Sequence, residues 1–255
     1  MKKIIYTLII FLVSIQAKGE LGETQITAEE GIEVFQKEKY YLLKKNIKII
    51  SDEFTLKADN LVKAFFNEGL YDVIQILSEG NVILSSNKGM KAMGENVNFN
   101  IKEEYIIVNG KDSLLITDQI EMKSDKSIKV NNLTGLFTLK GPNSNLINED
   151  INITGNLIDG KFVNLENVNE LENLYVEDDF TVNIKTDTLD MYALKAIYDK
   201  KNNMIELFDK VKIIRDQDSI IGDYSKINTL DESYKVTSKK SDKKVRVLLK
   251  EKKDE

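Results

Sequence analysis

The chain has 255 residues, with no His, no Cys, no Trp, a single Pro and a formal net charge of −6. Without His or Cys, the commonest general base, thiolate nucleophiles and the usual zinc ligand sets are excluded. The acidic balance excludes the basic footprint of a nucleic-acid binder, and the lone Pro142 leaves long β-ladders uninterrupted.

The chain opens with Lys2 and Lys3, an apolar stretch of 12 residues over Ile4–Ile15, and Ala17 as a small cleavage position. This pattern predicts a secretory signal over residues 1–17. The stretch is shorter than the ~20 residues that span a bilayer; an uncleaved anchor is the alternative. The absence of Cys rules out a lipoprotein and any disulfide. Removal of Lys2 and Lys3 takes the net charge to −8. Lys235–Glu255 carries nine Lys/Arg and four Asp/Glu, so the preceding body is near −13.

Residues 18–249 are expected to form one β-array. Gln25–Phe35 and Tyr40–Ile50 are short β-prone runs with polar breaks. In Phe54–Ala58, Phe54, Leu56 and Ala58 share one face and Thr55 and Lys57 the other, the period of a strand with one wet side. Leu61–Phe66 and Tyr71–Leu77 flank the turn residues Asn67-Glu68-Gly69. Met90, Ala92 and Gly94 alternate, as do Val97, Phe99 and Ile101. Tyr105–Val108 leads into Asn109-Gly110, which predicts a tight primed hairpin.

Leu114–Ile116, Ile120–Met122, Ile128–Val130 and Leu136–Leu139 continue at the ~8–12-residue rhythm of a sandwich. Gly141–Asn156 is the richest polar break, expected as a boundary between two half-arrays or as a long loop. Leu165–Leu174 admits a short helix, but strands and turns are preferred. Phe180–Ile184, Ala193–Tyr198, Met204–Phe208, Tyr234–Thr237 and Val245–Leu249 complete the strands, and residues 250–255 read as a solvated tail. The count is roughly 20 strands, too many for one open sheet. The fold expected is all-β and antiparallel, a jellyroll or twisted two-layer sandwich with an apolar interior.

One unit is written three times. Ile47 and Ile49 precede Ala58; Val82 and Leu84 precede Gly94; Val211 and Ile213 precede Gly222. The step from first apolar to small residue is 11, 12 and 11, which marks a repeated supersecondary element.

No reaction chemistry stands out. Asp178/Asp179 and Asp216/Asp218 are neighbouring acids in turns, without the Gly and closing Glu of a calcium loop. No phosphate-binding glycine loop or nucleophile elbow is present. The expectation is a non-enzyme without metal or cofactor. Inward positions mix long aliphatics with Ala58, Ala92, Gly94 and Gly222, and no Trp fills the middle.

These residues carry a family resemblance. Ile205–Phe208, Asp209–Ile213, Ser219–Asp223 with Ile227, Tyr234–Val236 and Ser241–Val247 resemble the C-terminal half of the LptA/OstA-like family of periplasmic lipopolysaccharide-transport proteins. Gly80-Asn81-Val82 with Gly94-Glu95, and Ile26–Glu29 with Ile32-Glu33, are similar to its other units. The likeness covers most of residues 25–249 in patches. The chain is longer than a typical member, with the surplus around residues 110–176, and the family's Gly-Asn is absent at Asp209-Lys210. The related LptC proteins share the fold and carry an N-terminal anchor, so an anchored adaptor is the near alternative; a structural β-repeat envelope protein is the other.

The resemblance implies a β-jellyroll with an open apolar groove and edge strands at both ends. It implies a periplasmic, non-enzymatic bridge for lipopolysaccharide, built head to tail from copies of itself between LptC-like inner-membrane and LptD-like outer-membrane partners. The groove lining expected for acyl chains is Ile47, Ile49, Phe54, Leu56, Val82, Leu84, Val97, Phe99, Val211 and Ile213.

Overall fold

A computed structural model of the chain describes residues 24–68, 72–87, 89–117, 119–148, 151–165, 168–238 and 244–250. The expected signal over residues 1–17, and residues 251–255 of the expected tail, lie outside these. Among the described residues there is no helix, and so none long and apolar enough to cross a membrane.

The strands, in chain order, are β1 (Gln25–Thr27), β2 (Ile32–Phe35), β3 (Tyr40–Lys44), β4 (Ile47–Ile50), β5 (Phe54–Ala58), β6 (Leu61–Phe66), β7 (Val73–Ser86), β8 (Lys91–Asn100), β9 (Tyr105–Asn109) and β10 (Ser113–Ile116). They continue as β11 (Ile120–Ser124), β12 (Ser127–Asn131), β13 (Leu136–Asn148), β14 (Ile151–Leu165), β15 (Val168–Lys185), β16 (Asp190–Asp199), β17 (Met204–Arg215), β18 (Asp218–Asn228), β19 (Tyr234–Thr237) and β20 (Arg246–Leu248). Every pairing is antiparallel, and the order of pairing resolves the strands into two layers.

Layer one runs β1, β4, β5, the second half of β7, the first half of β8, β10, β11 and the second half of β13. It continues through the first half of β14, the second half of β15, the first half of β16, the second half of β17, the first half of β18, and β20. Layer two runs β2, β3, β6, the complementary halves of β7 and β8, then β9, β12, the complementary halves of β13 to β18, and β19.

The long strands pass from one layer to the other at bends, where the pairing register shifts: Glu79/Val82, Lys140/Ser144, Thr154/Leu157, Glu177/Val182, Tyr192/Lys195 and Phe208/Val211. Bulges of this kind are how a sheet turns a corner. In the first half of the chain short connections make the same corner. Asn109-Gly110 is one of these: β9 and β10 do not pair with each other, so the expected tight hairpin is a bend between layers.

The bends line up as a spine. Backbone bonds join neighbouring bends: Asn46 N to Asp59 O at 2.9 Å, Asp59 N to Gly80 O at 2.8 Å, and Asp125 N to Pro142 O at 3.1 Å. Side chains add Asn46 Nδ2 to Glu29 Oε1 at 2.5 Å, Asn81 Nδ2 to Asp59 Oδ2 at 2.7 Å and Asn143 Nδ2 to Asp125 Oδ2 at 2.6 Å. The hairpin turns of both layers lie on the opposite long side, which is the mouth.

The repeated unit is now explained. Ile47 is the direct cross-strand partner of Ala58, Val82 of Gly94 and Val211 of Gly222. Each unit is a layer-one hairpin that begins and ends at the spine. The closing residue is small because the chain folds against itself there. A Cβ on Gly222 would stand 2.5 Å from Val236 Cγ1 and 2.9 Å from Thr237 O.

Gly141–Asn156 is neither a boundary loop nor a long turn: Gly141–Asn148 belongs to β13 and Ile151–Asn156 to β14, paired from Ser144↔Gly155 to Asn148↔Ile151. The Asn side chains of this segment serve the outer face, where Asn145 Nδ2 donates to Asn152 Oδ1 at 2.6 Å. The preference for strand over helix at Leu165–Leu174 holds, with β14 ending at Leu165 and β15 starting at Val168.

Candidate functional site: the interior between the layers

All ten residues expected to line a groove point inward, and nine are buried. Ile47, Ile49, Leu56, Val82, Leu84, Val97, Val211 and Ile213 keep 3 % or less of their surface, and Phe54 keeps 8 %. Phe99 is half-buried against the same core. The open apolar groove is therefore closed in this structure: aliphatic side chains from the two layers meet and fill the space between them. The reason is the mixture of sizes. Near the spine, valines of layer two stand against glycines of layer one, where a Cβ on Gly94 would lie 2.6 Å from Val108 Cγ1 and one on Gly155 2.7 Å from Val176 Cγ1, so the layers approach closely instead of leaving a trough.

The ten fall into two groups. Ile49 pairs with Leu56, which pairs with Leu84, and Val97 and Phe99 cover them from layer two. Near the mouth the Phe54 and Phe99 rings meet edge to face, centroids 6.4 Å apart at 85°. Phe54 lies at a layer-one turn and Phe99 at a layer-two turn, so this contact clasps the two layers where they would part. Val211 and Ile213 lie eight strand positions beyond Val82 and Leu84 in layer one, about 38 Å at ordinary strand spacing.

The sequence reading missed the residues between the two groups. Ile128, Leu139, Leu146, Ile153, Ile158 and Ile184 are almost fully buried and continue the same interior. The signal was present. Ser113 pairs with Ser124, Ser144 with Gly155 and Val182 with Ala193, each eleven residues apart. Ser replaces the leading apolar residue in two of these units. Its hydroxyl is satisfied at the spine: Ser113 Oγ donates to Gly110 O at 2.7 Å, and Ser144 Oγ contacts Ser124 Oγ at 3.0 Å.

Among the described residues the interior is uncovered at its ends. At the N-terminal end Ile32 and Val34 of β2 pair with inward Leu43 and Tyr41, so they face inward too, yet are 44 % and 45 % exposed. At the C-terminal end Val247 of β20 pairs with Ile220 and is 54 % exposed. Among the described residues β1, β2, β19 and β20 are each paired along one edge only. Glu29, Glu30 and Glu33 lie at the N-terminal end, where they pair with Lys45 and Lys44; Lys235, Lys244, Arg246 and Lys250 lie at the other.

The acidic pairs hold backbone: Asp178 at the β15 bend and Asp218 at the segment after β20. Asp178 Oδ1 accepts from Phe180 N at 2.7 Å and Thr181 N at 2.9 Å, and Asp218 Oδ1 accepts from Lys250 N at 3.0 Å. Asp216 sits in the β17–β18 turn with φ +55°. Among the described residues no group of three or more Asp or Glu is placed to hold a metal ion.

No family model matches the sequence, and no curated protein matches it. Among solved structures the chain is similar to LptH from Pseudomonas aeruginosa, described as the LptA homologous periplasmic component of the conserved lipopolysaccharide transport device. The match has 9 % identity and a TM-score of 0.28, and covers 64 % of this chain and 96 % of that one.

Proposed function

We propose that this protein is a non-enzymatic bridge that carries lipopolysaccharide across the periplasm, sheltering the lipid A acyl chains between its two layers. The observation that carries the reading is one apolar interior running the length of the array and, among the described residues, uncovered at both ends, between strand edges left unpaired.

Bare in water, an acyl chain of about a dozen carbons costs on the order of 10 kcal/mol, at ~0.8 kcal/mol per CH₂. A conduit lowers that barrier when each step resembles the last, and a repeated hairpin provides the sameness. Acyl chains reach the interior by parting the layers at the mouth, with the spine as hinge and the Phe54–Phe99 contact giving way. The charged sugar head stays in water outside the mouth.

The conduit extends by strand addition. Unpaired N–H and C=O groups on an edge select another edge. Set against β19 of one copy, β2 of the next would place Ile32 and Val34 beside inward Tyr234 and Val236, and Glu33 on the outer side with Lys235. Such a contact is heterologous and does not close, so copies stack head to tail. The same ends would meet an LptC-like partner at the inner membrane and an LptD-like partner at the outer membrane.

Photoreactive residues at Val82, Phe99 and Ile213 test this reading. Lipopolysaccharide crosslinks are expected at all three, and their absence at every site overturns it.

The dense packing of the interior favours a second reading, a structural β-repeat envelope protein that never opens. Uptake of a fluorescent fatty acid by the purified chain separates the two, since a scaffold takes up none.

A further inference from the structure

The outer face of layer two carries a second feature near its C-terminal end, on the side away from the interior. There β17, β18 and β19 present three rows of cross-strand neighbours: Phe208–Tyr224–Thr237, Glu206–Lys226–Lys235 and Met204–Asn228. The surface over the rows is concave. It forms a cleft of about 720 Å³ whose walls include Tyr224, Lys226, Lys235, Asn202, Asn203 and Asn228. That volume lies within the range of a small-molecule site, roughly 300–1,000 Å³.

The charges in the cleft are unbalanced. Lys226 and Lys235 are direct cross-strand partners, an arrangement of like charges that costs stability. Glu206, the other neighbour of Lys226, accepts the Tyr224 hydroxyl. Among the described residues neither lysine has a carboxylate within ion-pair distance, whereas Lys161 bonds Glu172 at 2.7 Å and Lys195 bonds Glu177 at 2.8 Å on the same outer face. Lys48 and Lys57 also oppose each other, so a lysine pair alone singles out nothing; the walls around Lys226 and Lys235 do. They supply an aromatic ring held by Glu206 and by Phe208, whose centroid is 5.3 Å away, together with a rim of asparagine amides.

We propose that this cleft binds a phosphorylated saccharide. The phosphate sits between the Lys226 and Lys235 ammonium groups, which turns their repulsion into two charge-assisted contacts. The C–H face of the sugar packs on Tyr224. Its hydroxyls exchange hydrogen bonds with the amides of Asn202, Asn203 and Asn228, which donate and accept. This site does not depend on how the interior is used, because it lies on the opposite face of the layer.

Calorimetric titration of the purified chain with glucose 6-phosphate tests it. Binding with Kd of about 1 mM or tighter is expected, weakened at least about tenfold by Lys226→Gln with Lys235→Gln, and unchanged by Lys48→Gln with Lys57→Gln. Glucose and inorganic phosphate alone are each expected to bind at least about tenfold more weakly. No binding, equal loss in both double variants, or inorganic phosphate binding as tightly as the sugar phosphate each overturns the proposal. Competition by a phosphorylated glycolipid in detergent micelles assigns the sugar to a lipid headgroup, and failure to compete assigns it to a free sugar phosphate; either result keeps the site.

Discussion

At the residue scale, steric contact at the bends and one polar pair give the sharpest expectations. Gly222 stands where the chain turns from one layer to the other, against Val236 Cγ1 and the Thr237 carbonyl. Gly222→Ala is expected to lower stability by about 1–3 kcal/mol, as overpacking does. Val236→Ala in the same chain should recover part of that loss, because the carbonyl contact remains. Urea midpoints of the three variants check this. Tyr224 donates its hydroxyl to Glu206, which pushes its pKa up to about 12. The raised value stabilises the neutral phenol, so the contribution is full below the ordinary value of about 10 and is lost as pH rises through the folded value near 12. Burial raises Tyr41 and Tyr198 as well, and a hydrogen bond to Glu177 raises Tyr175, so absorbance titration at 295 nm should show several late-ionising tyrosines, of which Tyr224→Phe removes one and Glu206→Gln returns that one toward the ordinary value.

The hairpin is the unit at the next scale, and it shows how far the sequence could be read. Where both leading residues are aliphatic, as in Ile47–Ala58, Val82–Gly94 and Val211–Gly222, the alternation declares the strand, its inner face and its end at the spine. Where Ser leads, as at Ser113 and Ser144, the same hairpin hides, because a hydroxyl bonded to a bend looks like a loop residue in one dimension. Gly141–Asn156 was hidden for the same reason. Its inward side carries Leu146, Ile151 and Ile153 between Ser144 and Gly155, and its outward side is mostly polar, with Asn145, Asn152 and Thr154 around the exposed Ile147. The closure of the interior was not legible either, since alternation names a face and not the width of the gap behind it. Phe54 and Phe99, read separately as lining, turn out to touch. A double-mutant cycle with Phe54→Ala and Phe99→Ala is expected to give a coupling of about 0.5–1.5 kcal/mol in denaturant unfolding, the usual worth of an aromatic pair.

For the whole molecule the polarity of the ends decides how copies meet. Carboxylates at one end, shared there with Lys44 and Lys45, and ammonium or guanidinium groups at the other make association sensitive to salt, with attraction screened beyond about 10 Å at 0.1 M. Glu33→Lys is expected to weaken self-association in analytical ultracentrifugation, as is Lys235→Glu. Mixing the two variants should restore association, because both junctions between unlike copies again set opposite charges side by side and the chains grow by alternation. Association unchanged in both variants would place the contact elsewhere.

The eleven-residue hairpin and its shared spine also make the array divisible. Val82 to Ser113 and Ser113 to Ser144 are each a step of 31 residues between equivalent corners. Excising residues 113–143 joins Asp112 to Ser144 at the same kind of corner, leaving β8 beside the second half of β13 and β9 beside the second half of β14. The product should fold as a body shorter by two strand widths, about 10 Å, visible as a reduced maximum dimension in small-angle scattering. Length in this architecture is thus counted in whole modules, and a lineage or an engineer can change the span without redrawing the cross-section.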